Sequence, residues 1–221
     1  MPHAADNRTL KHGCIVMASG VGARFGGNKL MAELCGAPLV GHVVRATDGL
    51  FSRRAVVTRH ADVALLCETL GAQVILHDEP CRNDTVRLGM EAMDGCDTVT
   101  FVQGDQPLIR PASIVALLRA AERDAAGAVR RDAAGRGVAR IWRTSFDGVP
   151  GAPVLFPPWA FDELRSLPRG MGGGFVAKTH AEYVRTIEVS SEWELFDVDT
   201  RDDLEQLQTH VARCGSASLP R

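Results

Sequence analysis

The stretch MASGVGARFGGNKL, residues 17–30, sets Gly20, Gly22, Gly26 and Gly27 beside two cations, Arg24 and Lys29, directly after the apolar run CIVMA. Glycines let a backbone turn tightly enough to aim several N–H groups at one point, and such a loop at the carboxyl end of a strand is a place to hold phosphate. Arg24 and Lys29 add positive charge that suits a triphosphate. Much later in the chain, FVQGDQPLI places Asp105 just past another apolar run. LFDVDTRDDL then offers Asp197 and Asp199, two apart and so on one face of an extended segment. One carboxylate from each stretch, joined by phosphate oxygens and water, is enough to hold magnesium.

Competing readings of the same residues are weaker. Gly20, Gly22 and Gly26 nearly spell the dinucleotide fingerprint, but the spacing is one residue too long and no acid follows where a ribose would want it. Gly22, Gly27 and Lys29 echo a P-loop, but Asn28 intrudes before the lysine and Leu30 stands where a metal-binding hydroxyl is required. A plain surface turn fits poorly with two cations between a buried strand and a helix. Asp105 can also serve a turn with Gly104 and Pro107, and Asp202 and Asp203 read as a helix cap.

The elements that must position these residues alternate. CIVMA (14–18), RAVVT (54–58), QVILH (73–77) and TVTFVQ (98–103) read as buried strands, and 38–47, 61–72, 83–93 and 110–125 as helices. This rhythm predicts a mainly parallel sheet with helices on both faces. It loosens over 126–156, which predicts a β-rich excursion or flap. A helix at 158–167, the glycine-rich RGMGGG, a strand at 183–189 and a closing helix at 200–214 follow. One domain over 13–214 with tails at 1–12 and 215–221 is expected. Asn83, Asp84 and Thr85 read as an N-cap cluster, and Arg87 faces either phosphate or solvent.

Composition removes several function classes. The chain has 221 residues, 25 Lys and Arg against 27 Asp and Glu, and a net charge of −2, so nothing draws it generally to nucleic acid or to a membrane surface. Six cysteines without a C-x-x-C pair read as reduced core thiols, and seven histidines without an H-x-x-x-H pair argue against zinc. There is no G-x-S-x-G elbow. No apolar stretch is long enough to span a bilayer and the first residues lack a secretory h-region, so a cytoplasmic protein is expected.

With these residues in view, the loop resembles that of the MobA-like nucleotidyltransferases, roughly L-A-A-G-x-[SG]-x-R-[FM]-G-x-x-K, matched by Ala18, Gly20, Gly22, Arg24, Phe25, Gly26 and Lys29. Ser19 stands where cytidylyl transfer usually has alanine and guanylyl transfer glycine. GDQP resembles a landmark of the molybdenum cofactor cytidylyltransferases, and FDVDTRDDL resembles the segment D-x-D-T-P-x-D, with Arg201 in place of proline. GAPVLFPPWAFDEL (151–164) is similar to a segment that shapes the acceptor side, which would put the 126–156 excursion there. In LPRGMGGGFVAK, Met171 replaces an acid of the family pattern, and Gly170–Gly174 has no assigned role.

The resemblance implies a three-layer, Rossmann-like α/β nucleotidyltransferase fold with a mostly parallel, mixed sheet. It implies transfer of CMP from CTP to molybdopterin, a phosphomonoester, with release of pyrophosphate and a molybdenum hydroxylase receiving the product. Ala18, Ser19, Gly20, Val21, Gly22 and Gly104, with Arg24 and Lys29, would bind nucleotide. Arg24, Lys29 and Asp105 would be catalytic, and Asp105 and Asp199 would hold Mg²⁺. Use of GTP, a sugar or alditol phosphate acceptor, and a non-catalytic cofactor carrier are the alternatives.

Overall fold

The computed structural model describes residues 9–127 and 139–214. The first half alternates as its sequence demands: strand β1 (His12–Ala18), the two-residue strands β2 (Glu33–Leu34) and β3 (Ala37–Pro38), helix α1 (Leu39–Ala46), β4 (Arg53–Thr58), α2 (Ala61–Thr69), β5 (Gln73–Leu76), α3 (Arg82–Glu91), β6 (Thr98–Gln103) and α4 (Pro111–Gly127). The second half holds β7 (Ile141–Phe146), β8 (Val149–Phe156), α5 (Phe161–Arg165), α6 (Gly173–Thr179), β9 (Val184–Glu188) and α7 (Arg201–Cys214).

Seven strands form one sheet in the order β5-β4-β1-β6-β8-β7-β9. β5, β4, β1 and β6 run parallel, β8 is antiparallel to both β6 and β7, and β9 is parallel to β7. Side chains alternate across the central strand as a sheet covered on both faces requires. Ile15 joins Val86, Met90, Phe161, Leu164 and Val176 from α3, α5 and α6 on one face. Cys14, Val16 and Ala18 join Val40, Val43, Val63 and Ile114 from α1, α2 and α4 on the other. The result is the three-layer α/β architecture with a mixed, mostly parallel sheet.

Several expectations need correction. His12 is not tail: it opens β1, is buried, and its Nδ1 bonds the Thr98 hydroxyl at 2.7 Å, while the Lys11 amide donates to Asp97. The expected tails at 1–8 and 215–221 lie outside the described residues, as does 128–138. What is described of the 126–156 excursion is β-rich as expected but is no flap: β7 and β8 are inner strands of the main sheet, because β8 takes the β6 edge that a further parallel strand would have used. Only the tip of their hairpin, residues 147–150, is exposed. RGMGGG runs into α6, and the expected Asn83–Thr85 cap sits inside the first turn of α3, whose N-cap is Cys81 with no side-chain cap bond. Arg87 pairs with Glu91 at 2.8 Å on the solvent face.

Segment 190–199 is tied back to the β6–α4 turn. Glu194, 1 % exposed, accepts from the Arg110 amide and the Ser113 hydroxyl on one oxygen and from the Ser190 amide and hydroxyl on the other. Gln106 donates to the Leu195 carbonyl, and the Val198 amide donates to the Asp105 carbonyl at 3.1 Å. A buried carboxylate with all its bonds made is costly to disrupt, so Glu194→Ala should destabilise by about 2–4 kcal/mol in denaturant unfolding, through donors left bare.

Candidate functional site

β1 ends against the loop at the carboxyl edge of the parallel strands, and β6 ends beside it, so Gly20 to Lys29 and Asp105 meet by topology. The loop turns sharply at Gly22, which has φ +60°; the Phe25 and Gly26 amides both donate to the Gly22 carbonyl at 3.0 Å. A side chain on Gly22 would bring its Cβ to 2.1 Å from the Gly27 carbonyl oxygen. Gly22→Ala should therefore cost about 1–3 kcal/mol and disturb the loop amides, measured by denaturant unfolding and amide NMR. Among the described residues nothing accepts from the amides of Gly20, Val21, Gly22, Ala23 or Arg24. They form a row of unengaged donors.

Phe25 anchors the loop from beneath, buried with Leu34, Leu108, Val198, Leu207 and Val211 under α7. Arg201, the residue in the proline position, lies over the Phe25 ring at 5.0 Å. Asp203 rather than Asp202 makes the cap: it accepts from the Asp199 and Thr200 amides at 3.0 and 2.7 Å, and its own amide donates to the Thr200 hydroxyl. This capping fixes the backbone of Asp199.

The charged centre follows. The Lys29 ammonium, on a residue only 6 % exposed, lies 2.6 Å from Asp105 Oδ2 and 2.7 Å from Asp199 Oδ1, and Arg24 reaches the other Asp199 oxygen at 2.7 Å. Burial acts against the ammonium, but the carboxylates of Asp105 and Asp199 outweigh it and hold its pKa above that of a free lysine. The Lys29 hydrogen bond, followed by Arg24, holds Asp199 below the usual carboxylate range. Asp197 has open surface but is walled by protein; this desolvation, then the negative charge of Asp105, pushes its carboxyl up to about 6.

Two cavities meet at this centre. The smaller, about 380 Å³, runs along the glycine loop past Ser19 to Arg24 and Lys29 and is closed by Arg59, Cys81, Arg82 and Thr85. The larger, about 760 Å³, extends toward the β7–β8 hairpin and includes Arg143, Phe146, Val149 and Leu195. Arg24, Arg82, Gln103, Asp105 and Asp199 line both.

Of the sequence candidates, Ser19, Gly20, Val21, Gly22, Arg24, Lys29, Asp105 and Asp199 line the cavities, while Ala18 and Gly104 stand behind the wall. Ala18 shares the inward face of β1 with Cys14 and Val16 and is fully buried. Gly104 is packed so that an added Cβ would meet the Met17 carbonyl oxygen at 3.0 Å. The Ser19 hydroxyl donates to the Val57 carbonyl and bonds His77 Nε2 at 2.8 Å. Burial, then Arg59, lowers the His77 pKa.

Sequence reasoning missed Arg59, Arg82 and Arg143. Arg59 is held by the Ser19 and Glu79 carbonyls. Arg82 runs along Gly172, where any Cβ would come to 2.8 Å from its Cδ. Gly172 thus supplies the space that lets this arginine reach the cavities, while the Gly170 amide donates to Asn83 and Gly173 and Gly174 open α6.

The carboxylate pair suits a hard dication. The oxygens of Asp105 and Asp199 already converge on one cationic atom. Among the described residues no group of three or more His, Cys, Asp or Glu side chains is placed to hold a metal unaided, so oxygens of a bound phosphate would have to complete the shell. No described helix is long and apolar enough to cross a membrane.

Known proteins share this architecture. The 3-deoxy-manno-octulosonate cytidylyltransferase of Anaeromyxobacter sp. strain Fw109-5 is 38% identical over 113 residues, 45% of this chain and 44% of that protein, so the chain spans about half the length of the curated relative it matches. The crystal structure of the Mycobacterium sp. strain JC1 homologue of Mycobacterium tuberculosis Rv0371c superposes with a TM-score of 0.75 at 23% identity, covering 92% of this chain and 98% of that one. Molybdopterin-guanine dinucleotide biosynthesis protein A from Archaeoglobus fulgidus gives 0.64 at 20% identity over 91% and 99% of the two chains. These structural likenesses establish the fold. The family model for the MobA-like NTP transferase domain matches residues 14–184, and by that match over most of its length the chain belongs to the MobA-like NTP transferase family.

Proposed function

We propose that the protein transfers CMP from CTP to a phosphomonoester acceptor of the molybdopterin type, releasing pyrophosphate. The observation that carries this reading is the Lys29 ammonium clasped by Asp105 and Asp199 where the two cavities meet below the row of free amides. The amides of Gly20 to Arg24 receive the donor phosphates in the smaller cavity. Arg24 and Lys29 offset the charge that grows on the departing pyrophosphate. From the larger cavity an acceptor phosphate oxygen attacks the α-phosphorus; that P–O bond forms as the bond to pyrophosphate breaks. Because the attack is direct, the protein positions and neutralises and forms no covalent intermediate.

Asp105 and Asp199 would hold Mg²⁺, which supplies neutralisation of phosphate oxygens when bound. Support for CTP comes from the cytidylyltransferase relative, and support for molybdopterin from the resemblance of the glycine loop and of Gly104–Pro107. A molybdenum hydroxylase is the proposed recipient of the product. The same relative favours a second reading, the same transfer to a sugar acid.

Incubation with each of the four NTPs, magnesium and molybdopterin, or a panel of sugar acids and sugar and alditol phosphates, tests this by pyrophosphate release and product mass. The expected result is one pyrophosphate per cytidylylated molybdopterin. Absence of pyrophosphate release with every donor and acceptor would overturn the proposal.

A further inference from the structure

Arg143 lies on β7, half-buried in the wall of the larger cavity. Its Nε and Nη2 both donate to the Gly151 carbonyl, at 3.0 and 2.8 Å, which fixes the guanidinium plane against the neighbouring strand. A guanidinium has five N–H donors; two are used, leaving three. No carboxylate of the described residues pairs with it, although Asp147, Glu192 and Asp197 line the same cavity. Burial without a counter-charge lowers its pKa. Arg82, which lines the cavity too, likewise has no carboxylate partner among the described residues.

The two positive groups differ in kind from the central pair. Arg24 and Lys29 are already bound to Asp199 and Asp105, whereas Arg143 is rigidly held and uncompensated in a cavity that Phe146, Val149 and Leu195 also line. A planar fork with free donors beside apolar side chains fits an anionic group, carboxylate or phosphate, carried on an apolar or planar body.

We infer that Arg143 is the residue that selects the acceptor, by receiving an anionic group of it in the larger cavity, with Arg82 as the second cation of the clamp. This rests on the proposed function only in calling the larger cavity the acceptor's.

The test needs no turnover. With the donor site filled by the α,β-methylene analogue of CTP, phenyl phosphate and phenylacetate are titrated into the full chain, and binding is followed by calorimetry and by the Arg143 side-chain N–H resonances. Wild type should bind at least one of these anions, with benzyl alcohol inert. R143Q, which keeps an N–H for Gly151, should weaken that binding at least about tenfold, R143K should fall between, and affinity for the CTP analogue should be unchanged. Preference for phenyl phosphate assigns a phosphomonoester acceptor, and preference for phenylacetate a carboxylate. If neither anion binds, if R143Q binds them as wild type does, or if R143Q loses the CTP analogue equally, the inference is overturned. A protein that bound these anions through Arg143 yet released no pyrophosphate from CTP would sink the proposed function and leave this inference standing.

Discussion

Lys29→Ala is expected to lower turnover with CTP by about a hundred- to a thousandfold, the scale seen when one preorganised charge-stabilising donor is removed. The substitution also strips a buried cation from two carboxylates, so it should destabilise the fold by about 1–3 kcal/mol, less than for a fully buried pair because Asp199 is a third exposed. The pH dependence separates the two effects. Asp199 has a depressed pKa, so its share of the stability is present above about pH 3.9 and is lost as pH falls through its folded value. Lys29 has a raised pKa, so its share is full below about pH 10.4 and is lost as pH climbs through its folded value. Wild type and Lys29→Ala should therefore differ most between about pH 4 and 10, with their unfolding curves converging on either side. Equal turnover of CTP, or a stability gap that persists at acid pH, would show that Lys29 lacks this role.

Asp105→Asn is expected to abolish magnesium-dependent turnover, by about a thousandfold or more, while keeping the native fold. The amide has nearly the same shape, but it cannot carry the charge that helps hold the Lys29 ammonium above an ordinary lysine. The backbone bond from the Val198 amide to the Asp105 carbonyl survives, so segment 190–199 should stay docked, and with Asp199 still paired to Lys29 the loss of stability should be no larger than that of Lys29→Ala. The checks are circular dichroism, thermal unfolding and a magnesium titration of pyrophosphate release. An unchanged magnesium dependence would remove Asp105 from the metal.

The parallel half of the sheet is legible because buried strands must be nearly continuous apolar runs punctuated by turn residues, and β1, β4 and β6 are. The hairpin half resists reading. VPGAP at the start of β8 is half open to solvent and has the composition of a loop, and nothing local tells that β8 inserts antiparallel between β6 and β7. Within the site, Arg24, Lys29, Asp105 and Asp199 are visible because each sits in a stretch whose composition announces it. Arg59 and Arg82 look like ordinary surface cations, and their position depends on side chains, such as the missing one at Gly172, that arrive from distant elements. Arg143 leaves one trace, a charge inside the apolar-bounded strand IWRTSF, which strand alternation alone does not interpret. Ala18 is the opposite case: the period of two that makes β1 a strand turns it inward with Cys14 and Val16.

The lysine and its second carboxylate stand 170 residues apart, and α7 fastens the loop by burying Phe25 and stacking Arg201 on it. During synthesis the glycine loop emerges well before the segment that fastens it. A nascent chain that stops short of Asp199 can build the first strands of the sheet, but it leaves Lys29 with Asp105 alone and Phe25 uncovered. The pocket that gathers Lys29, Asp105 and Asp199 is therefore completed only once α7 has been made, and premature stops before it yield a half-made pocket.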